Sequence, residues 1–589
     1  MRRVSLRLGH VILKIAGDDD ATRDPKSRSR FIQAVNQLNR GKELIDTTED
    51  QDNLARLNHK AAKEVLRFSA FNVAQTYLET SLELLGGNCW DTHYELTLAI
   101  SNMLATVLTG NGLMDQSLKL IDQISERSNC VEDRCEAEIL KLEVLACMNQ
   151  LDQCFELSQN ILEELNLPKL PLNAGLTAIV PAMLAVKKML KPLTSEDTLK
   201  LPLCENSRIQ HAVRIFSILC PVAFLASKKA LIPIISCRMI QYTLKFGLTP
   251  LSPYVFSSFG FCLSVTQDFR EAFRFGFLAL QMMERFGEDA RTLVVVFGFI
   301  YHTQRHFVDA FEPTLRAYYI SFVQGDLAFS GQAIGIHLTA RTVAGSSLDN
   351  IINDTFSFGE QLKAYNQSLV WKSLITLQRT NLELADRSEE IVKLIGENPN
   401  DDAFLEFLCS GGRQEFHIFA FHSFTLRCRY ILGDKESTLI LAKKCWRCKG
   451  LQAPLSGRAM FFCFCALTAL DCWKEATLTK RFYFWRIFRK YQRILISWTE
   501  KGNPNTLHKV SLLKAEVLAS KENEKFETIL EAYYQAINQA RRSGFVQDAA
   551  LSNELLGKYC LKRCDYDSAK DFLNTAKDLY FDWGAMKKV

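Results

Sequence analysis

Small side chains recur at one fixed spacing in widely separated parts of the chain, and this constrains the fold more than any other feature. In the stretch Asn553 to Trp583, NELLGKYCLKRCDYDSAKDFLNTAKDLYFDW, Gly557 is followed twelve residues later by Ala569 and nineteen later by Ala576. The same offsets join Gly260, Ala272 and Ala279. They recur more loosely at Ala62, Ala74 and Ser81, and at Ala105, Ser117 and Ile124. Two helices joined by a tight reversal, here at Arg563-Cys564-Asp565, need small residues at such positions so that their axes approach closely and the next pair stacks. A spacing repeated far along one chain therefore predicts an array of stacked helix pairs.

The expected fold class is all-α: an α-solenoid of stacked, tetratricopeptide-like antiparallel helix pairs. A chain of 589 residues is too long for one conventional core, but in a solenoid each repeat packs only on its neighbours and the core grows lengthwise. The 14 prolines and 28 glycines leave room for long helices. A net charge of +5 is too slight to imply nucleic acid. Cysteines such as Cys147, Cys154, Cys262 and Cys463 sit inside apolar helical patterns, which fits buried thiols in a reducing compartment, so a cytoplasmic location is expected. MRRVSLRLGHVILK places Arg7, His10 and Lys14 where a secretory signal needs apolar residues, and weakly resembles a mitochondrial presequence in composition. The runs IFSILCPVAFLA and MFFCFCALTAL fall short of the roughly 20 apolar residues of a membrane span, so no stable membrane insertion is expected.

Periodicity divides the chain as follows. Residues 1–53 hold N-terminal helices and a charged, solvated loop, GDDDATRDPKSRSR. Residues 54–167 read as tetratricopeptide-like repeats, the most regular part. Residues 168–250 are interrupted by prolines, predicting short or bent helices with loops near 192–207. Repeats resume over 251–415, with a polar break at Glu397-Asn398-Pro399-Asn400. A cysteine- and aromatic-rich helical region covers 416–507, and 508–589 carries the last repeats.

Several segments together resemble a known family. NQLNRGKELI (36–45), WDTHYELTLAISNMLA (90–105), EAFRFGFLALQMMERF (271–286), EPTLRAYYISFVQGD (312–326) and PNTLHKVSLLKAEVLA (504–519) are similar to the helical-repeat segment of large multidomain AAA/STAND-type signalling ATPases. Histidine-kinase, serine/threonine-kinase or cyclase modules often accompany that segment in one polypeptide. The Trp90-His93-Tyr94 cluster is its most specific part, and 327–500 matches only in helical character. The resemblance implies a signalling role. It carries over neither ATP binding nor kinase activity, because the residues for them are not in this sequence.

Candidate chemistry is sparse. No G-x-x-x-x-G-K-[ST] loop occurs, and Gly86-Gly87 and Gly411-Gly412 read as helix-end turns. No His-Arg-Asp occurs, and Asp268-Phe269-Arg270 lacks the glycine of a kinase metal-binding motif. Cys445 and Cys448 form C-x-x-C and are followed by Cys463 and Cys465, with Cys428 and Cys472 nearby. Four thiolates can close a tetrahedral zinc site, but C-x-C inside an apolar helix puts its two thiols on roughly opposite faces, which favours core packing. His302 and His306, spaced for one helix face, lack a third ligand. In TKRFYFWRIFRKYQRILISW (479–498), Phe484, Phe488, Tyr491, Leu495 and Trp498 trace one helical stripe, while Arg486, Arg489, Lys490 and Arg493 lie largely off it. That pattern fits either a core stripe with a solvated basic face or a surface for an acidic partner.

The leading expectation is a non-enzymatic scaffold that binds protein partners in signal transduction, needing no cofactor. Arg486, Arg489 and Arg493, together with Asn102 and Asn553 on first helices, are the candidate contacts. The alternative is a fragment of a signalling ATPase or protein kinase whose catalytic modules lie outside this chain. A third reading is a metal- or membrane-dependent regulator built on 428–498.

Overall fold

The computed structural model describes residues 1–16, 25–68, 70–364, 367–397, 400–410, 415–447, 456–521 and 524–589. Helices pack in antiparallel neighbouring pairs, and among the described residues no strand forms; one isolated bridge joins Leu203 and Leu248. The architecture is an all-α solenoid.

The chain divides into two compact units, one of Met1–Leu251 with Ile320–Leu327, the other of Ser252–Tyr319 with Ala328–Val589. In the first, Thr48–Leu66 pairs with Phe71–Leu85, Tyr94–Gly110 with Met114–Arg127, and Val131–Cys147 with Leu151–Glu164. Thr47 caps its helix by accepting from the Asp50 amide, supplying an acceptor to an otherwise orphan N–H. The repeated small residues lie in the seams. Ala62, Ala74, Ser81, Ala105, Ser117 and Ile124 are all fully buried, and Ser117 Oγ donates to the Ala105 carbonyl at 2.9 Å.

Two expectations are corrected in this unit. Of the charged segment read as a loop, Pro25–Arg30 is the start of the helix Pro25–Arg40; proline suits a first helical turn, where its missing N–H costs nothing. The region 168–250 holds the short helix Ser195–Leu199 with irregular chain on either side, as expected, but also long helices, Leu176–Leu190 and Ser207–Leu225, with Pro181 and Pro221 inside them.

In the second unit, Ser252–Val265 pairs with Phe269–Phe286, Leu348–Ala364 with Ser368–Leu384, and Glu415–Leu432 with Lys435–Arg447. Three further pairs follow: Arg458–Glu475 with Leu478–Glu500, Leu507–Ala519 with Phe526–Arg542, and Val546–Lys562 with Tyr566–Trp583. The expected regularity fails between Ala290 and Ala310, where a short α-helix passes into a π-turn (Val296–Ile300) and two 3-10 turns.

This irregular segment is held by the chain much later in sequence. Asn505 Nδ2 donates to the carbonyls of His302 and Arg305, both at 2.8 Å, and Gln304 Nε2 donates to that of Lys501 at 2.7 Å. The last turn, Met586–Lys588, packs on the helices 368–384 and 415–432. The stack in this unit therefore curls back on itself.

Candidate interaction surfaces

The helix Leu478–Glu500 separates its two faces cleanly. Phe488, Tyr491, Leu495 and Trp498 are buried against Arg458–Glu475, with Tyr491 stacked on Phe462 at 5.6 Å and Trp498 edge-on to it at 5.5 Å. Phe484, the first residue of the expected stripe, is half-buried beside Trp446. Lys480, Arg481, Arg486, Lys490 and Arg493 are exposed, while Arg489 is half-buried and donates to Gln492 Oε1 at 2.8 Å. No acidic residue lies between Ala476 and Thr499. Among the described residues Arg486, Arg489, Lys490 and Arg493 form no salt bridge with a carboxylate. Leu478, Phe482 and Tyr483 are also exposed beside these cations. The sequence reading missed them, although their place ahead of the buried stripe was a usable signal.

The other candidates are scattered. Asn102 is half-buried and its Oδ1 has no hydrogen-bond partner among the described residues. Asn553 is 3% exposed and donates to the Ala549 carbonyl at 2.9 Å, which places it in the packed interior rather than on an open face. Cys448 and the Gly411-Gly412 turn lie outside the described residues. Cys445, Cys463 and Cys465 are buried, with Cys465 interacting with Cys445 while Cys463 lies near Lys509 and Asp548. Burial pushes the Cys463 thiol up to about 12 and the Cys465 thiol well up, so both stay protonated at neutral pH. Among the described residues no group of three His, Cys, Asp or Glu side chains is placed to hold a metal. His302 and His306 do not share one helix face, because a turn separates their 3-10 segments; His302 stacks on Phe307 and His306 lies against Phe545.

The chief surprise is ionic and interior. Asp548 Oδ2 accepts from His508 Nε2 at 2.7 Å and from Lys509 Nζ, and all three residues are buried. Arg427 is also buried; its guanidinium lies 5.0 Å from the Trp583 ring, and among the described residues Nη2 has no hydrogen-bond partner. A second cluster joins Lys474 to Glu516 at 2.7 Å and to Asp471 at 3.2 Å, with Tyr430 donating to Asp471 at 2.9 Å. A third joins Glu554 to Tyr580, Lys558 and Lys588.

Charge follows from this geometry. Burial raises the Asp548 carboxyl, but the Lys509 ammonium and His508 outweigh it and hold the group far below the usual carboxylate range. Burial, then Lys509, lowers His508 to about 4, so its ring is neutral at pH 7. Burial lowers Arg427 to about 10 against the opposing pull of Asp548, which still leaves it charged at neutral pH. These groups brace neighbouring first helices against one another.

Ser207–Leu225 is long and apolar enough to cross a membrane by length and composition, and 61% of its apolar window is buried inside the protein. Such burial fits a core helix.

The molecule is thus an all-α solenoid of paired helices, with a strongly basic exposed face on the helix Leu478–Glu500 and a cross-braced ionic interior. No family model matches the chain. It is similar to "Hybrid signal transduction histidine kinase G" of Dictyostelium discoideum, 22% identical over 387 residues. That match covers 60% of this chain but spans only 11% of the relative's own length.

Proposed function

We propose that this chain is a non-enzymatic, tetratricopeptide-like scaffold that binds protein partners in cytoplasmic signal transduction, and that an acidic partner docks on the 478–500 helix. The carrying observation is its exposed basic face, where Arg486 and Arg493, with the half-buried Arg489, meet no carboxylate among the described residues. Aligned cations without counter-charges favour an acidic surface and raise its association rate. The exposed Phe482 and Tyr483 supply aromatic contact area of the kind that concentrates binding energy. Affinity capture with quantitative mass spectrometry, comparing the native chain with Arg486→Glu/Arg489→Glu/Arg493→Glu, tests this. An acidic protein held by the native chain and lost from the variant is the expected result; identical captured sets refute the assignment.

A second reading rests on the similarity to the histidine kinase, which involves a small share of that protein. In it the chain is the repeat segment of an AAA/STAND-type signalling ATPase or protein kinase, with catalytic modules encoded elsewhere in the gene. An in-frame P-loop in the genomic DNA upstream of Met1 would support this reading, and its lack would favour the free scaffold.

A further inference from the structure

The helix Arg2–Ala16 uses one side to pack on its neighbour Pro25–Arg40, with Gly9 set against Leu38. Its opposite side is apolar and uncovered among the described residues. Val4, Leu8, Val11 and Ile15 are 68%, 44%, 53% and 64% exposed. They are spaced by four, three and four residues, which is the step pattern of a heptad seam. At 100° per residue the four fall within about 60° of one another, a narrow line along the helix.

Each seam residue is directly preceded by a basic or imidazole side chain: Arg3, Arg7, His10 and Lys14. All four are exposed and lie along one flank of the seam. Among the described residues Arg3, Arg7 and Lys14 form no salt bridge, whereas Arg2 is taken by Glu43. The helix contains no acidic residue.

We infer that this face docks an amphipathic helix of a partner protein, one with an aliphatic heptad seam flanked by Asp or Glu. A seam so narrow matches the line of contact between two helices, whereas a helix lying in a bilayer surface needs a broader apolar face. A second copy of the same helix would bring its own Arg3, Arg7 and Lys14 against these cations, and flanking charge of like sign opposes pairing. An acidic flank satisfies both the geometry and the charge.

Two synthetic three-heptad peptides with the same leucine seam test this, one flanked by Glu and the other by Lys, titrated into the full-length chain by fluorescence anisotropy. The Glu-flanked peptide is expected to bind at least about tenfold more tightly. Arg3→Glu/Arg7→Glu/Lys14→Glu leaves the seam intact and is expected to invert that preference. Val4→Ser/Leu8→Ser/Val11→Ser/Ile15→Ser is expected to abolish binding of both peptides, with unchanged circular dichroism showing that the fold persists. Equal affinity for the two peptides, binding of neither, or a preference unmoved by charge reversal overturns the inference. Co-sedimentation with phosphatidylcholine/phosphatidylserine vesicles, or self-association lost in the serine variant, overturns it in favour of a lipid surface or a second copy.

Discussion

Gly260 stands against the carbonyl of Ala272, so close that a Cβ on the glycine would lie 3.1 Å from that oxygen and 2.9 Å from Ile300 Cδ1. The same contact is made at the far end of the chain, where a Cβ on Gly557 would lie 3.3 Å from the Ala569 carbonyl and 2.8 Å from Leu573 Cγ. The twelve-residue offset is therefore a physical contact between paired helices.

Gly260→Ala should destabilise the protein even though alanine is the better helix former. The intrinsic gain is about 1 kcal/mol and overpacking a seam costs about 1–3 kcal/mol, so the net loss is up to about 2 kcal/mol. Gly87, whose added Cβ meets nothing within 4 Å, is the control. Thermal denaturation is expected to show a lower melting temperature for Gly260→Ala and no loss for Gly87→Ala.

Asp548→Asn should be among the most damaging single substitutions, because it leaves the Lys509 ammonium buried without its counter-charge. Breaking one side of such a pair costs about 3–5 kcal/mol, whereas replacing both partners by apolar residues is often close to neutral. Denaturant unfolding should therefore show Asp548→Leu/Lys509→Met to be more stable than Asp548→Asn.

Stability should fall on mild acidification. Burial lowers His337, His422 and His508 to about 4 in the folded protein, from 6.5. The unfolded chain thus binds protons that the folded one refuses. The folded state is favoured fully above pH 6.5, and each of these histidines removes about 1.4 kcal/mol per pH unit as pH falls from there towards 4. Melting at pH 7 and pH 5 checks the sign; equal stability would show that these rings are not buried and neutral.

Thiol labelling of the native protein should mark Cys130 and Cys564, the exposed cysteines among the described residues, well before Cys463 and Cys465. The latter pair lack both access and thiolate character. Mass mapping after a short iodoacetamide pulse reads the order directly, and early labelling of Cys463 would contradict its buried position.

The helix pairs were legible because their seams obey a local rule: small residues at set offsets within an apolar periodicity. The basic face of the 478–500 helix was legible for the same reason, since Phe488, Tyr491, Leu495 and Trp498 fix which side is inward. Lys509, Asp548 and Glu516 were not, because a charged residue in sequence reads as solvated until its partner is known. Their partners lie tens of residues away, across successive helices. Pro25 and Pro181 misled for a different reason: proline marks a break in sequence, yet a helix start tolerates it, and neighbouring packing can override it. Asn553 was expected on an open face, but it is buried and donates to the Ala549 carbonyl within its own helix.

Hydrogen–deuterium exchange of the chain, free and bound to an acidic partner identified by capture, tests the scaffold account most directly. Protection concentrated in peptides covering 478–493, with little change elsewhere, is the expected result. Protection confined to other helices, with 478–493 exchanging as in the free chain, would contradict it.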